Sequence, residues 1–412
     1  MKDAHMAKTF DCIKDEFLIE MDYISKIGSK LFVYPFVGRS KFTMCCYYVT
    51  FFFLVLTSVQ LFVTLCLTHF ESSFEVINIA PNLGVCLVII IKYSKIHTKR
   101  ISYQKFYNHF RYELWDVVLD SVDHRNVLET YVKTAPRLIA RFFIYYGITL
   151  SLLVALLPRI IMLYENNVLQ KNLYLYPFDG WYPFNKIKWY YIAYVWESVM
   201  TTVVIINFVC TNTIHISYTR LICMELKVLG ISIENLLKSK VRDSITQNKI
   251  EDFHENIKVN FKTILKRHQL LGNVVSELNI IMGDGMLLTY ISGSVFICLT
   301  AFTATVVDDF YMTLRYFSFF CSLLVETFIQ CIMGQLLIDH SEDFENSIYF
   351  TDWPIADLSI KKMLLIMLIR AQKSFVFTAN GYFIMNFDTF GGICSLSYQL
   401  FNLLRTTYNK EL

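Results

Sequence analysis

The chain has 412 residues, 55% of them hydrophobic and 18% charged, with a formal net charge of +3. Soluble globular proteins carry roughly 45–50% apolar and about 25% charged residues, so this composition excludes an ordinary soluble domain. No Lys/Arg block offers a footing for nucleic acid.

The apolar excess lies in long runs between charged stretches, the pattern of a polytopic membrane protein. The first stretch, MKDAHMAKTFDCIKDEFLIEMD, mixes charges and lacks an apolar core, so no cleaved signal peptide is expected. A span needs about 20 mostly apolar residues. Seven runs qualify: 43–68, 73–92, 140–164, 189–215, 284–307, 311–337 and 376–404. Pro81 and Asn82 interrupt the second, a break that membranes tolerate where neighbours satisfy the backbone.

Between the fourth and fifth spans, residues 217–283 carry apolar side chains at helical spacing. Leu221, Met224, Leu226, Leu229, Ile233 and Leu236 precede the polar stretch KSKVRDSITQNK, and Phe253, Ile257, Phe261, Ile264 and Leu271 follow it. The pattern predicts two long amphipathic helices joined by a polar turn, their apolar faces covered within the chain or by another subunit. In 338–375, SIKKMLLIMLIRAQKSF predicts a further amphipathic helix, with Trp353-Pro354 just ahead of it.

Lys/Arg asymmetry orients the bundle. The tail through Lys41 and the segments 92–141, 217–283 and 338–375 together hold 31 Lys/Arg. Residues 165–188 hold three, and the short connections HFESS and DDF hold none. The N-terminus is therefore expected in the cytoplasm and, after seven spans, the C-terminus outside. That orientation is opposite to G-protein-coupled receptors. Span three also lacks a D/E-R-Y ending, and span seven lacks N-P-x-x-Y.

The eleven Cys fall mostly inside apolar runs without metal-ligand spacing, and read as small buried hydrophobes. There is no H-E-x-x-H, no G-x-S-x-G and no P-loop, so neither an enzyme, a metal site nor a cofactor is expected. No N-x-S/T sequon marks the topology.

The C-terminal third resembles the insect odorant receptor family. The residues that carry the resemblance are Cys331, Gly334, Ser341, the Tyr349/Trp353 pair, Arg370-Ala371-Gln372-Lys373, Phe390, Ser397-Tyr398, Phe401 and Leu403-Leu404. The stretch YLYPFDGWYPFN (174–185) is similar to that family's second extracellular loop. Two features bear on the match: Ser374 stands where the family often has Pro, and the gustatory Thr-Tyr…Gln-Phe ending is absent.

The resemblance implies an all-α membrane protein with long cytoplasmic helical extensions that acts as an odorant-gated, non-selective cation channel. It implies four subunits around one pore lined by the seventh spans. It also implies a common co-receptor as partner, small hydrophobic odorants as ligands, membrane lipid around the bundle, and residence in the plasma membrane of olfactory neuron dendrites. The modest second cytoplasmic loop suggests a tuning subunit. The cytoplasmic parts of spans four to seven would anchor the subunits, with Tyr349, Trp353, Arg370 and Gln372 among the anchor residues. On this scheme 1–216 holds the tail and spans one to four, part of the ligand-binding bundle. Residues 217–283 form the anchor extensions, 284–337 spans five and six, 338–375 an anchor helix, and 376–412 the pore-lining span with its outer tail. A gustatory receptor channel of the same fold is the alternative. A transporter is the alternative of another class, for which no internal repeat is seen.

The seventh span has its own geometry. Asp388, Gly392, Ser395, Gln399, Asn402 and Thr406 fall within about 40° either side of one helical line. Such a stripe faces either a water-filled path or a close-packed neighbour reached through Gly and Ser; the resemblance favours the pore. Leu403, about 60° from that line, is the expected hydrophobic gate. The ligand site should be apolar and concave, drawn from the outer halves of spans two to six. The expected residues are Ile79 and Leu83, Thr149, Leu152 and Leu156, Tyr191, Tyr194, Ser198 and Thr201, Phe296 and Thr300, and Tyr316 or Phe317. Glu197, costly within a span unless paired, is expected to meet ligand or a basic or hydroxyl neighbour such as Arg159; Glu326 reads as structural, with Gln330 one turn below.

Overall fold

The structure, a computed structural model, describes residues 10–411 apart from positions 34, 35, 37, 39, 68–72, 120, 135, 169, 171–173 and 248–249. The first nine residues and most of the HFESS connection lie outside the described residues. In chain order the helices are α1 (Phe10–Ser29), α2 (Lys41–Leu67), α3 (Ser73–Thr98), α4 (Arg100–Arg111), α5 (Val122–Thr134) and α6 (Pro136–Val168). Then follow α7 (Tyr190–Gln247), α8 (Ile250–Val306), α9 (Phe310–Tyr349), α10 (Leu358–Ala371), the strands β1 (Thr378–Ala379) and β2 (Phe383–Ile384), and α11 (Phe387–Glu411).

Among the described residues six helices are long and apolar enough to cross a membrane: α2, α3, α6, α7, α8 and α9. The helix α11 is 25 residues long, but its polar stripe leaves it less apolar than those six. The end of the bundle that carries the 174–189 loop is called upper here, the opposite end lower. Pro81 does not break α3, and Pro158 sits inside α6. Each removes one backbone donor, which packed neighbours in a bundle can compensate.

Two expectations change in length. The polar turn expected at 238–249 is helical through Gln247 and again from Ile250. The stretch contains no Gly or Pro to stop a helix, so α7 and α8 reach 58 and 57 residues. The helix expected from 376 begins only at Phe387. Residues 378–384 form an antiparallel hairpin, pairing Thr378 with Ile384 and Ala379 with Phe383, the one β-ribbon among the described residues of an otherwise helix-and-loop fold. Asn380 and Gly381 take positive φ (51° and 81°) at its tip, the conformation for which Asn-Gly is preferred.

One buried cluster runs through the whole bundle. α9 packs against α7 and α8, and α8 against α3 and α11. Gly334 on α9 marks the tightest approach. A Cβ there would stand 1.8 Å from the Met385 carbonyl oxygen, so the entry to α11 is pressed onto bare backbone. The N-terminus of α9 is capped by Asp309, whose carboxylate accepts from Met312 N at 2.9 Å.

At the lower end, His109 of α4 donates or accepts between three charged groups. Its Nε2 is 2.7 Å from Glu225, and its Nδ1 is 3.2 Å from both Glu113 Oε2 and Arg267 Nη1. When protonated, Nδ1 donates to Glu113; when neutral with the proton on Nε2, it accepts from Arg267.

Candidate ligand cavity and the face of the last helix

A cavity of about 120 Å³ opens in the upper half of the bundle. Thr57 and Leu61 of α2, Asn82, Val85 and Cys86 of α3, and Leu150, Leu153, Val154, Leu157 and Pro158 of α6 form one side. Thr201, Val204, Ile205 and Phe208 of α7 face them. α9 supplies Tyr311, Arg315, Ser318, Phe319, Ser322, Leu323 and Glu326. Pro177 and Phe178, from the loop before α7, close the top. The lining is mostly apolar, with Thr57, Asn82, Thr201, Ser318 and Ser322 among the walls and the charged Arg315 and Glu326 on α9, the composition of a small-molecule site.

Glu197 holds the roof. Fully buried on α7, its Oε2 accepts from the backbone N–H of Phe178 at 2.9 Å and Asp179 at 3.0 Å. Its Oε1 accepts from Gly180 N at 3.0 Å and the Tyr182 hydroxyl at 3.2 Å. The hydroxyl neighbour expected for Glu197 is thus Tyr182, joined by three backbone amides, while the basic neighbour Arg159 does not bond to it. Arg159 instead lies over the rings of Tyr190 and Tyr191, 5.8 and 5.1 Å from their centroids. The same loop is tied to α2: Trp181 N donates to Thr64 Oγ1 at 2.8 Å, and Gln60 Nε2 donates to the Trp181 carbonyl at 3.2 Å.

Of the thirteen residues expected at a ligand site, Thr201 lines this cavity. Thr149, Leu152 and Leu156 lie exposed on the outward face of α6, in line with Tyr145, Ile148, Ile160 and Leu163. The cavity face of α6 is the neighbouring one. Both faces are apolar because one meets lipid, so hydropathy cannot separate them. On α3, Ile79 is buried in the main cluster and Leu83 packs against it, while Asn82, Val85 and Cys86 face the cavity. Tyr191 is exposed, and Tyr194 packs against Met162, Tyr190 and Ala193 with its hydroxyl donated to the Ala155 carbonyl. Ser198 is half-buried, off the cavity lining. Phe296 packs with Ile297, Leu323 and Ile393, and Thr300 spends its hydroxyl on the Phe296 carbonyl of its own helix. Tyr316 is buried, whereas Phe317 lines a shallow outward groove with Ala301, Ala304 and Phe310.

The floor is a buried ion pair. Lys92 Nζ is 2.8 Å from Glu326 Oε1 and 3.1 Å from Asn212 Oδ1, and Gln330 Nε2 adds a bond to Glu326 at 3.3 Å. Glu326 is structural as expected, but its chief partner is Lys92. The charge count placed Lys92 at the start of a loop; α3 continues to Thr98 and carries it inside. Arg315 was missed altogether. The available signal was a basic residue within an apolar run, which in a membrane segment marks a functional candidate.

On α11 the six stripe residues and Leu403 share one condition. Asp388, Gly392, Ser395, Gln399, Asn402, Leu403 and Thr406 are all exposed. The opposite face packs: Ile393 is buried and the Ser397 hydroxyl donates to the Ser294 carbonyl of α8 at 2.9 Å. A Cβ added at Gly392 meets nothing within 4 Å. Within a single chain, therefore, the stripe does not serve helix packing.

At the lower end, Tyr349, Trp353, Arg370 and Gln372 are exposed. Around them α10 buries Ile360, Leu364 and Met367 and leaves Leu358, Leu365, Ile366 and Ile369 exposed. Ser341 Oγ accepts from Phe375 N at 3.0 Å, which fixes the segment after α10 onto α9. Among the described residues no group of three His, Cys, Asp or Glu side chains is placed to hold a metal.

A family profile described as "7tm Odorant receptor" matches residues 75–398. Putative odorant receptor 85d of Drosophila melanogaster is 33% identical over 34% of this chain and 34% of its own length. Odorant receptor 85c of the same fly is 26% identical over 53% of this chain and 57% of its own length. The chain thus matches between a third and somewhat over half of these relatives. The solved structure of the insect olfactory receptor OR5 from Machilis hrabei superposes with a TM-score of 0.77 at 15% identity, covering 95% of this chain and 98% of that one. The same receptor in complex with eugenol gives 0.78 over 96% and 99%. At that identity the likeness is one of fold.

Proposed function

The chain belongs to the 7tm odorant receptor family, a family of multi-pass membrane receptors rather than enzymes, and on that premise we propose that it is the ligand-binding subunit of an odorant-gated cation channel. Small hydrophobic volatiles occupy the cavity under the Phe178 roof. The N-terminus lies in the cytoplasm and the C-terminus outside, as the Lys/Arg distribution argues. Four chains, this one together with the common co-receptor, surround a pore in the plasma membrane of olfactory neuron dendrites. α11 is the seventh span, its Asp388-to-Thr406 stripe faces the water path, and Leu403 forms a constriction that closes by dewetting. The exposed face of α10 with Tyr349, Trp353, Arg370 and Gln372 docks against neighbouring subunits at the cytoplasmic anchor.

The observation that carries this reading is the α11 stripe. A helix that buries Ile393 and Ser397 yet leaves an acid, two amides and an unobstructed glycine exposed needs water on that side. The test is current recording from cells that express the chain with and without the co-receptor, against a broad odorant panel. Odorant-evoked cation current under co-expression is expected, with Asp388→Asn changing its conductance or selectivity. Silence despite surface delivery would refute the proposal.

A further inference from the structure

Arg315 lies inside the cavity and more than nine-tenths buried. Its Nη2 is buried with no hydrogen-bond partner. A guanidinium left in this state among apolar walls is costly, so the site is incomplete as it stands.

Five other polar side chains at the cavity, Thr57, Ser318, Ser322, Tyr311 and Glu326, are already engaged. Thr57 donates to the Phe53 carbonyl at 2.9 Å, Ser318 to the Leu314 carbonyl at 2.8 Å and Ser322 to the Ser318 carbonyl at 2.8 Å. Ser322 also accepts from the Tyr146 hydroxyl at 2.7 Å, and the Tyr311 hydroxyl donates to the Tyr176 carbonyl at 3.3 Å. Glu326 is an acceptor engaged by Lys92. Arg315, Ser322 and Glu326 lie on one line of α9, within about 40° of one another. The upper end of that line is thus a cationic donor and the lower end a neutralised ion pair, with Ser322 between them and mostly apolar side chains on the facing helices.

We propose that the ligand of this cavity pairs an apolar body with a neutral carbonyl oxygen, as in an ester, ketone or aldehyde, and that Arg315 donates to that oxygen. The hydrocarbon part lies against Leu153, Leu157, Val204 and Phe208. A carboxylate would also pair with the guanidinium, but it must itself leave water at a cost that the pairing need not offset; a neutral carbonyl accepts the same bond without that cost. This inference rests on the cavity being the odorant site.

The test is a panel of ligands matched in carbon skeleton and differing in headgroup: hydrocarbon, ketone, ester and carboxylate. Responses are read from cells that express the chain with the co-receptor, with surface delivery measured in parallel. The ketone and ester should act at concentrations roughly ten- to a hundredfold lower than the hydrocarbon, the range for a hydrogen bond to a charged group. Arg315→Met should collapse that preference to within about threefold; Arg315→Lys should keep part of it. The wild-type ranking needs no variant, so it decides the matter even if Arg315→Met fails to reach the surface. Equal potency across headgroups, a preference for the carboxylate, or a carbonyl preference that survives Arg315→Met overturns the inference alone. Silence to the whole panel despite surface delivery overturns the underlying odorant reading and this inference with it.

Discussion

Glu197→Gln is the sharpest probe of the cavity roof. The side chain keeps its shape and loses one acceptor. The carboxylate serves four donors, two on each oxygen. A glutamine carbonyl can keep Phe178 N and Asp179 N, which leaves its NH2 facing Gly180 N and Tyr182 Oη. The tyrosine hydroxyl can rotate to accept, but the buried Gly180 N–H cannot. An orphaned buried donor costs about 1–3 kcal/mol, and the two retained bonds lose charge assistance, which roughly halves their strength. Relief of burying a charge acts in the opposite direction. The net expectation is about 1–3 kcal/mol against the closed roof, roughly a 5- to 150-fold rise in the open population. Hydrogen exchange on the purified protein reads this directly: the amides of 178–180 should exchange faster by that factor while the α7 and α8 amides stay protected. Odorant potency should fall with it, because Phe178 is part of the cavity wall. Unchanged protection of these amides in the variant would show that Glu197 does not hold the loop.

Three further outcomes follow from the packing. Gly334→Ala places a methyl 1.8 Å from the Met385 carbonyl oxygen, where ordinary contact begins at 3.4 Å. The entry to α11 must shift by about 1.6 Å, so overpacking of about 1–3 kcal/mol or more is expected, seen as a lower melting temperature; wild-type stability and gating would refute the close approach. Lys92→Met strands Glu326 in the bundle and should cost about 3–5 kcal/mol, read as lost surface delivery, whereas pairing it with Glu326→Leu should restore much of the loss. For His109, burial lowers the imidazole pKa, but the hydrogen bond and charge of Glu225, with help from Glu113, outweigh it and leave the value above the usual 6.5. A raised folded value means that this stabilisation is complete below about pH 6.5 and disappears as pH rises through the higher folded value. Thermal melts between about pH 6 and 8 should therefore show stability falling with pH, and His109→Gln should flatten that slope.

Much of the helical architecture was legible because hydrophobic runs of membrane length have few alternatives. The great length of α7 and α8 was legible too, in the absence of Gly and Pro from 238–249, although the polarity of that stretch reads as a turn. The face of α6 was not. In a lipid-embedded helix Leu152 and Leu153 are equally apolar, and only tertiary packing decides which meets lipid. Glu197 was recognised as needing partners, but those partners are mostly backbone amides, which leave no trace in residue identity. The hairpin was written plainly in Asn380-Gly381, yet an apolar run on either side masked it as the start of a span. Arg315 and Lys92 were visible as charges; what could not be read was that one is paired and the other is left with an unbonded nitrogen.

The unbroken length of α7 and α8 has a mechanical consequence. At 1.5 Å per residue they are rods of about 87 and 86 Å. α7 carries the Thr201–Phe208 wall of the cavity toward one end and Leu229 and Ile233 in the buried cluster toward the other. Such a rod acts as a lever: a tilt of one degree displaces its far end by about 1.5 Å over this length. A ligand too small to reshape the bundle can thus deliver a displacement of atomic size at the opposite end without any loop in the line of force. The give in such a machine would then belong to the short non-helical stretch between α10 and α11, where the hairpin and the bare backbone of Gly334 meet.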